Sequence, residues 1–289
     1  MDFLPFTLNK FAGGGEPSRQ KQSKAADARK QNEEQEETNA GHDIQHTIIF
    51  CKLCNYSIAR VVTFFMKELV LMRHGESQWN AENRFTGWTD VPLSVRGRRE
   101  SELAARRLRE SGFACAGACT SLLMRAIHTL NIVLAGLDCA WVPVYKDWRL
   151  NEKHYGILQG REKREVELEM GAELVRRWRR AYQCPPPPLQ PGDERLVCKD
   201  GRYAGVPSGQ LPATESLQDT YRRVRACWEE EIRPRLYQRE RLLVVAHGNS
   251  LRALVMYLRA LPPAGVENLE IPTCEPMRFV FDDDMNIIP

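Results

Sequence analysis

This chain lacks a strong charge of either sign and an apolar run long enough to cross a membrane unbroken. Its 41 Lys and Arg face 38 Asp and Glu, a net charge of +3 over 289 residues, so bulk charge exerts no pull toward nucleic acid or an anionic membrane. Residues 47–65 are mostly apolar, but Lys52, Asn55 and Arg60 interrupt them. A charge at mid-span costs about 2.5 kcal/mol or more, which makes this a poor membrane helix. The segment also lies too far along the chain for an ordinary secretory signal, and Glu33, Glu34, Glu36 and Glu37 argue against a transit peptide. There is no Gly-rich phosphate loop, no internal repeat and no spacing that defines a metal site. Cys51-Lys52-Leu53-Cys54 has CxxC spacing without a second pair of ligands. Nine cysteines, an odd number with no secretory signal, point to reduced thiols and a cytoplasmic location.

Composition changes at Met66. Residues 12–45 are rich in Gly, Gln, Glu, Lys and Asn, hold no core pattern and are expected to be disordered. Residues 1–65 therefore read as a disordered or accessory extension, and 66–289 as the catalytic domain. Beyond Met66 the punctuation is α/β. Strands are expected at Glu68–Met72, Cys115–Thr120, Trp141–Val144 and Arg241–Ala246, with a weaker one at Arg278–Phe281. Helices are expected at Leu123–Leu137, as one or two segments in Glu162–Tyr182, and after Gly248 with the stripe Leu251, Leu254, Val255, Leu258. The best-signalled helix has Ser216 as N-cap, Asp219 three residues on, and the stripe Leu217, Tyr221, Val224, Trp228, Ile232, with Pro234 as its stop. Strand–helix alternation implies a three-layer α/β sandwich, a mostly parallel sheet with helices on both faces, and ligands at the C-terminal strand ends. Basic clusters at Arg96–Arg109, Arg161–Arg164, Arg176–Arg180 and Arg222–Arg225 read mostly as solvated helix faces.

Two of those strand ends carry chemistry. Leu69-Val70-Leu71-Met72 stops at Arg73-His74-Gly75, and Leu242 to Ala246 stops at His247-Gly248-Asn249-Ser250. An imidazole can attack phosphorus, an arginine can hold phosphoryl oxygens, and glycine lets the backbone come close. Two such ends side by side would bring two histidines to one phosphate.

The stretch Glu68–Ser94, ELVLMRHGESQWNAENRFTGWTDVPLS, resembles the opening of the cofactor-dependent phosphoglycerate mutases of the histidine phosphatase superfamily. The same family is matched by Trp148 to Gly156, by Trp178 to Tyr182 before Pro185–Pro188, by Leu211 to Leu217 and by Ala246 to Arg252. The resemblance implies interconversion of 3-phosphoglycerate and 2-phosphoglycerate, with 2,3-bisphosphoglycerate as intermediate and primer, without a metal, in a homodimer. It assigns the phosphohistidine to His74, charge stabilisation to His247, and the guanidinium clamp to Arg73 and Arg125. Asn80 and the N–H groups of Thr86 and Gly87 would add neutral donors, and Gly248 and Asn249 backbone donors at a helix N-terminus. Glu152 would carry the substrate's proton, since a carboxylate repelled by a neighbouring phosphate holds a proton more readily. Tyr155, Lys163, Arg179 and Arg180 would form the shell for the carboxylate and the non-reacting phosphate, matching a substrate with about three negative charges.

Four departures from the family stand out. Lys153 occupies a usual Arg position, Gly201 replaces an Arg, and Cys274-Glu275 replaces a Gly-apolar pair. The chain ends at Pro289 without the longer tail many members fold over the site, which favours water as acceptor. The alternatives are accordingly a bisphosphoglycerate synthase or phosphatase, a broader phosphomonoesterase or, in another class, a weakly active binding module. Met66 resembles the natural start of the family's enzymes, so residues 1–65 would be an accessory extension or a gene-model artefact.

Overall fold

The run Lys67–Arg73 forms strand β1 at the centre of a six-stranded sheet of order β3-β2-β4-β1-β5-β6. The structure, a computed structural model, describes residues 66–288; the extension expected over 1–65, with Cys51 and Cys54, lies outside them. The other strands are β2 (Gly117–Thr120), β3 (Val144–Lys146), β4 (Arg241–Ala246), β5 (Met277–Phe281) and β6 (Ile287–Ile288). The ladders β1–β4, β4–β2 and β2–β3 are parallel, while β5 and β6 join antiparallel. The helices are α1 (Gln78–Ala81), α2 (Val95–Glu110), α3 (Met124–Gly136), α4 (Lys163–Met170), α5 (Ala172–Arg180), α6 (Leu217–Cys227), α7 (Arg233–Arg239), α8 (Gly248–Leu258) and α9 (Pro263–Glu267).

Alternation along the central strands explains the layers. Leu69, Leu71, Leu242 and Val244 point into one core with Leu217, Val224, Leu251 and Leu254 of α6 and α8. Val70, Met72, Leu243 and Val245 point into the other, with Ala104, Leu108, Leu130 and Val133 of α2 and α3. With both faces covered, the middle of each strand, residues 69–72 of β1 and 242–246 of β4, is apolar throughout. A third cluster, Phe85, Leu158, Val166, Val175 and Trp178, packs beneath α4 and α5.

Two expectations shift and one resolves. The strand placed at Trp141–Val144 begins only at Val144, because Pro143 has no N–H for the ladder; its carbonyl serves instead, accepting from Ala118 N at 3.0 Å, and Trp141 is exposed. The long segment 162–182 is two helices, broken at Gly171 with φ +88°. Pro234 does not end the Ser216 helix: a π turn at Trp228–Ile232 widens it, and α7 carries on to Arg239. Regular α spacing at Pro234 would press its ring on the carbonyl of Glu230, and the widened turn supplies the room. Ser216 and Asp219 do form the expected capping box. No helix among the described residues is long and apolar enough to cross a membrane.

One departure has a backbone signature. Cys274 is held at φ +53°, a conformation that glycine adopts freely, where the resemblance leads one to expect Gly. Its N–H donates to Arg73 O at 2.9 Å, so this turn fastens the end of β1.

Candidate active site

Parallel pairing of β1 with β4 puts Arg73 opposite Ala246, and His74 N donates to Ala246 O at 3.0 Å. The next residues on the two strands, His74 and His247, are therefore neighbours, with ring centroids 4.9 Å apart at 62°. Both are buried. His74 Nδ1 lies 2.6 Å from Gly75 O, and Arg125 Nε donates to His74 Nε2 at 3.3 Å. A carbonyl accepts and a guanidinium donates, so the proton sits on Nδ1 and the lone pair on Nε2. Burial, then the charges of Arg125 and Arg73, hold the His74 pKa well below 6.5. His247 Nε2 is 2.7 Å from Ser121 Oγ, while its Nδ1 has no partner; burial first, then Arg125, lower its pKa too.

Arg125 is fully buried at the start of α3, and its Nη1 and Nη2 donate to the carbonyls of Thr89 (3.0 Å) and Gly87 (2.8 Å). Only Nε points at the histidine pair. Burial lowers its pKa to about 10, against the opposing pull of Glu152 and Asp90. Arg73 spends Nη1 on Ile271 O at 3.0 Å and leaves Nε buried without a partner. Thr86 Oγ1 is a third buried polar atom without one. Gly87 needs its φ of +53°, and a Cβ there would stand 2.0 Å from Gln159 Oε1.

Glu152 is placed by backbone donors. Its Oε1 accepts from Lys153 N at 2.8 Å and Asn249 N at 3.1 Å. Oε2 borders Gly248 on the side of the Arg73 guanidinium. The Asn249 N–H thus holds Glu152, and the Asn249 side chain bonds Tyr155 Oη at 3.1 Å. Burial raises the Tyr155 pKa, with the Glu152 charge adding to it. Asn80 closes a capping box with Ser77, which occupies its Oδ1 at 3.2 Å. Lys163 reaches Asn83 Oδ1 at 3.4 Å, and burial, then Arg179 and Arg73, bring its pKa to about 8. Arg179 stands 3.7 Å from Glu167 Oε1. Arg180 pairs with Glu270 and acts on Arg252, while no contact brings it against His74. Among the described residues no group of three or more His, Cys, Asp or Glu could hold a metal ion.

Residues 69–198 and 199–288 match the profile of the histidine phosphatase superfamily, branch 1. The chain belongs to that superfamily. Among solved structures it is similar to a mycobacterial glucosyl-3-phosphoglycerate phosphatase, at TM-score 0.58 and 24% identity over 76% of this chain and 95% of that one. The alpha-ribazole phosphatase of Shigella flexneri matches at TM-score 0.56 and 22% identity over 77% and 94%. A phosphoglycerate mutase of Bacillus anthracis matches at TM-score 0.55 and 19% identity over 77% and 91%. At these identities the likeness is one of fold.

Around this histidine phosphatase site stand residues that sequence reasoning left without a role. Glu215 and Arg223 form a buried bidentate pair at 2.6 and 2.8 Å. Arg223 also donates to the carbonyls of Arg149 (2.7 Å), Asn151 (2.8 Å) and Glu152 (2.9 Å), and so fixes the loop that carries Glu152. Trp88 Nε1 adds a donor to Glu152 O at 2.5 Å. Arg223 lies within a basic run that reads as a solvated face; Arg222 and Arg225 are exposed, but Arg223 is buried.

Proposed function

We propose that the chain moves phosphoryl groups between small, multiply charged phosphate esters and an acceptor by way of a phosphohistidine at His74. The observation that carries this is the His74 ring itself, neutral, with Nδ1–H tied to Gly75 O and the Nε2 lone pair facing the site. Nε2 attacks phosphorus, the bond from phosphorus to the ester oxygen breaks, and a proton on Glu152 Oε2 goes to the departing oxygen. In the second half Glu152 takes a proton from the incoming hydroxyl or water as its oxygen bonds phosphorus and Nε2 leaves. Arg73 Nε, Thr86 Oγ1 and His247 Nδ1 are buried polar atoms without partners, and a phosphoryl group would satisfy such atoms. Arg125 Nε would turn from Nε2 to a phosphoryl oxygen once Nε2 is bonded to phosphorus. Lys163, Arg179 and Arg180, at the rim, would receive the substrate's second anion.

Two acceptors are in play. The names of the solved neighbours favour water, since two are phosphatases and one is a mutase. The blocks around Arg73, Glu152, Arg179-Arg180 and His247, which resemble the mutases residue by residue, favour a second hydroxyl, with 3-phosphoglycerate as substrate and 2,3-bisphosphoglycerate as primer. A coupled assay with 3-phosphoglycerate, with and without the bisphosphate, separates them. Bisphosphate-stimulated 2-phosphoglycerate means isomerisation, and release of inorganic phosphate without isomerisation means hydrolysis. Either activity surviving in His74→Ala refutes the phosphohistidine.

A further inference from the structure

Helix α5 ends in Arg179 and Arg180, the cations proposed above for the second anion. A helix end leaves its last carbonyls without intrahelical partners, and the dipole makes that end favour cations. In α5 these carbonyls are taken in succession by two buried cations. Lys153 Nζ donates to Trp178 O at 2.5 Å, and Arg252 donates to Arg179 O at 3.5 Å and to Arg180 O at 3.3 Å. Neither belongs to α5. Lys153 follows Glu152 directly in the chain. Arg252 lies on α8 and bonds Asn249 Oδ1 at 2.9 Å, while Asn249 N donates to Glu152 Oε1. Two separate paths therefore run from the Glu152 carboxylate to the end of the helix that presents the rim arginines.

We propose that Lys153 is a positioning residue, whose ammonium fastens the end of α5 to the Glu152 loop and so sets where Arg179 and Arg180 meet the substrate's non-reacting anion. The proposal rests on the phosphoryl-transfer reading of the site. Lys153 is fully buried, with the Trp178 carbonyl as its hydrogen-bond acceptor and the Tyr155 ring 4.8 Å away. The charged groups facing it are Arg252 from α8, Glu215 from the segment before α6, and Glu152 from its own loop; Cys184, beyond α5, and Tyr155 are the other titratable groups. Burial, then Arg252, brings its pKa to about 7 against the pull of Glu152 and Glu215. An arginine here would stay charged at any working pH. With lysine the tie changes strength near neutrality, since a hydrogen bond from a charged donor is about twice as strong as one from a neutral donor.

Steady-state kinetics of the full chain on 3-phosphoglycerate, from about pH 6 to 8.5, test this in wild type, Lys153→Met and Lys153→Arg. The expected result is a KM about tenfold higher in Lys153→Met with kcat changed less than about threefold, the loss of one charge-assisted bond. KM of the wild type should rise as pH passes about 7 upward, and Lys153→Arg should keep the low KM and flatten the rise around 7, leaving the later one near 8 that Lys163 gives. A KM that stays level in Lys153→Met, a loss confined to kcat, or the same pH profile in wild type and Lys153→Arg would each overturn the proposal. If Lys153→Met shows no cooperative melt, the comparison of wild type with Lys153→Arg still decides. Turnover in wild type without these KM effects defeats the Lys153 role alone. No turnover and no phosphate release in wild type, with 3-phosphoglycerate or with p-nitrophenyl phosphate as a general ester, defeats the phosphoryl-transfer reading beneath it.

Discussion

Replacing Arg223 with methionine should unfasten the site from below. The guanidinium makes two bonds to Glu215 and one each to the carbonyls of Arg149, Asn151 and Glu152, all between 2.6 and 2.9 Å. Methionine would fill much of the volume but leave a buried carboxylate and buried carbonyls short of donors. Removing one partner of a buried ion pair costs about 3–5 kcal/mol, and each orphaned carbonyl adds on the order of 1 kcal/mol. For a domain of this size 1 kcal/mol is roughly 2–4 °C in Tm, so a fall of about 10 °C or more is expected. Melting followed by circular dichroism measures it. The double variant Arg223→Met, Glu215→Leu should lose less than the sum of the two single variants, because it removes the stranded charge. Glu215 Oε2 also takes His154 N at 2.8 Å, so the double variant will not return fully to wild type. A single Arg223→Met variant melting within about 2 °C of wild type would show that the pair contributes little to holding this loop.

Acid should destabilise the protein earlier than its carboxylates alone would. His74, His154 and His247 all have folded pKa values below 6.5, that of His154 being about 3 through burial and then Arg223. As pH falls below 6.5 the unfolded chain takes up protons that the folded chain refuses, and stability drops until the folded values are reached. Each histidine is worth about 1.4 kcal/mol per pH unit in that window, so three lose about 3–4 kcal/mol between pH 7 and 5.5. Urea midpoints at the two pH values measure the loss, His154→Gln should remove about a third of it, and equal midpoints would refute the account. Gly87→Ala must force a Cβ into the left-handed region and against Gln159 Oε1, which accepts from Trp88 N at 2.7 Å. It should cost about 2 kcal/mol or more and lower kcat at least tenfold, because the Gly87 carbonyl holds Arg125. Unchanged melting and turnover would mean the loop yields at no cost.

What the sequence made legible follows from which side of each contact carries a chemical signature. The apolar runs before His74 and His247 could be read because a parallel strand buried on both faces has to be apolar throughout, and their ends could be read because imidazole, guanidinium and glycine are uncommon together. That the two strands are neighbours does not follow from either run; it came with the resemblance. Local pattern also placed β3 three residues early, because Pro143 delays the ladder, and misread Pro234, where the missing N–H is absorbed by a π turn instead of ending the helix. The supporting shell was hidden for a deeper reason. Arg223, Lys153 and Arg252 do much of their work on backbone carbonyls, and every residue has one of those. A carbonyl acceptor leaves no mark in composition or spacing, so a buried arginine in the run Arg222-Arg223-Val224-Arg225 looks like its exposed neighbours. Groups that touch substrate are constrained in type by the reaction, whereas groups that hold them are constrained by geometry. A chain can therefore declare a candidate nucleophile in three residues and keep the clamp on the Glu152 loop unannounced.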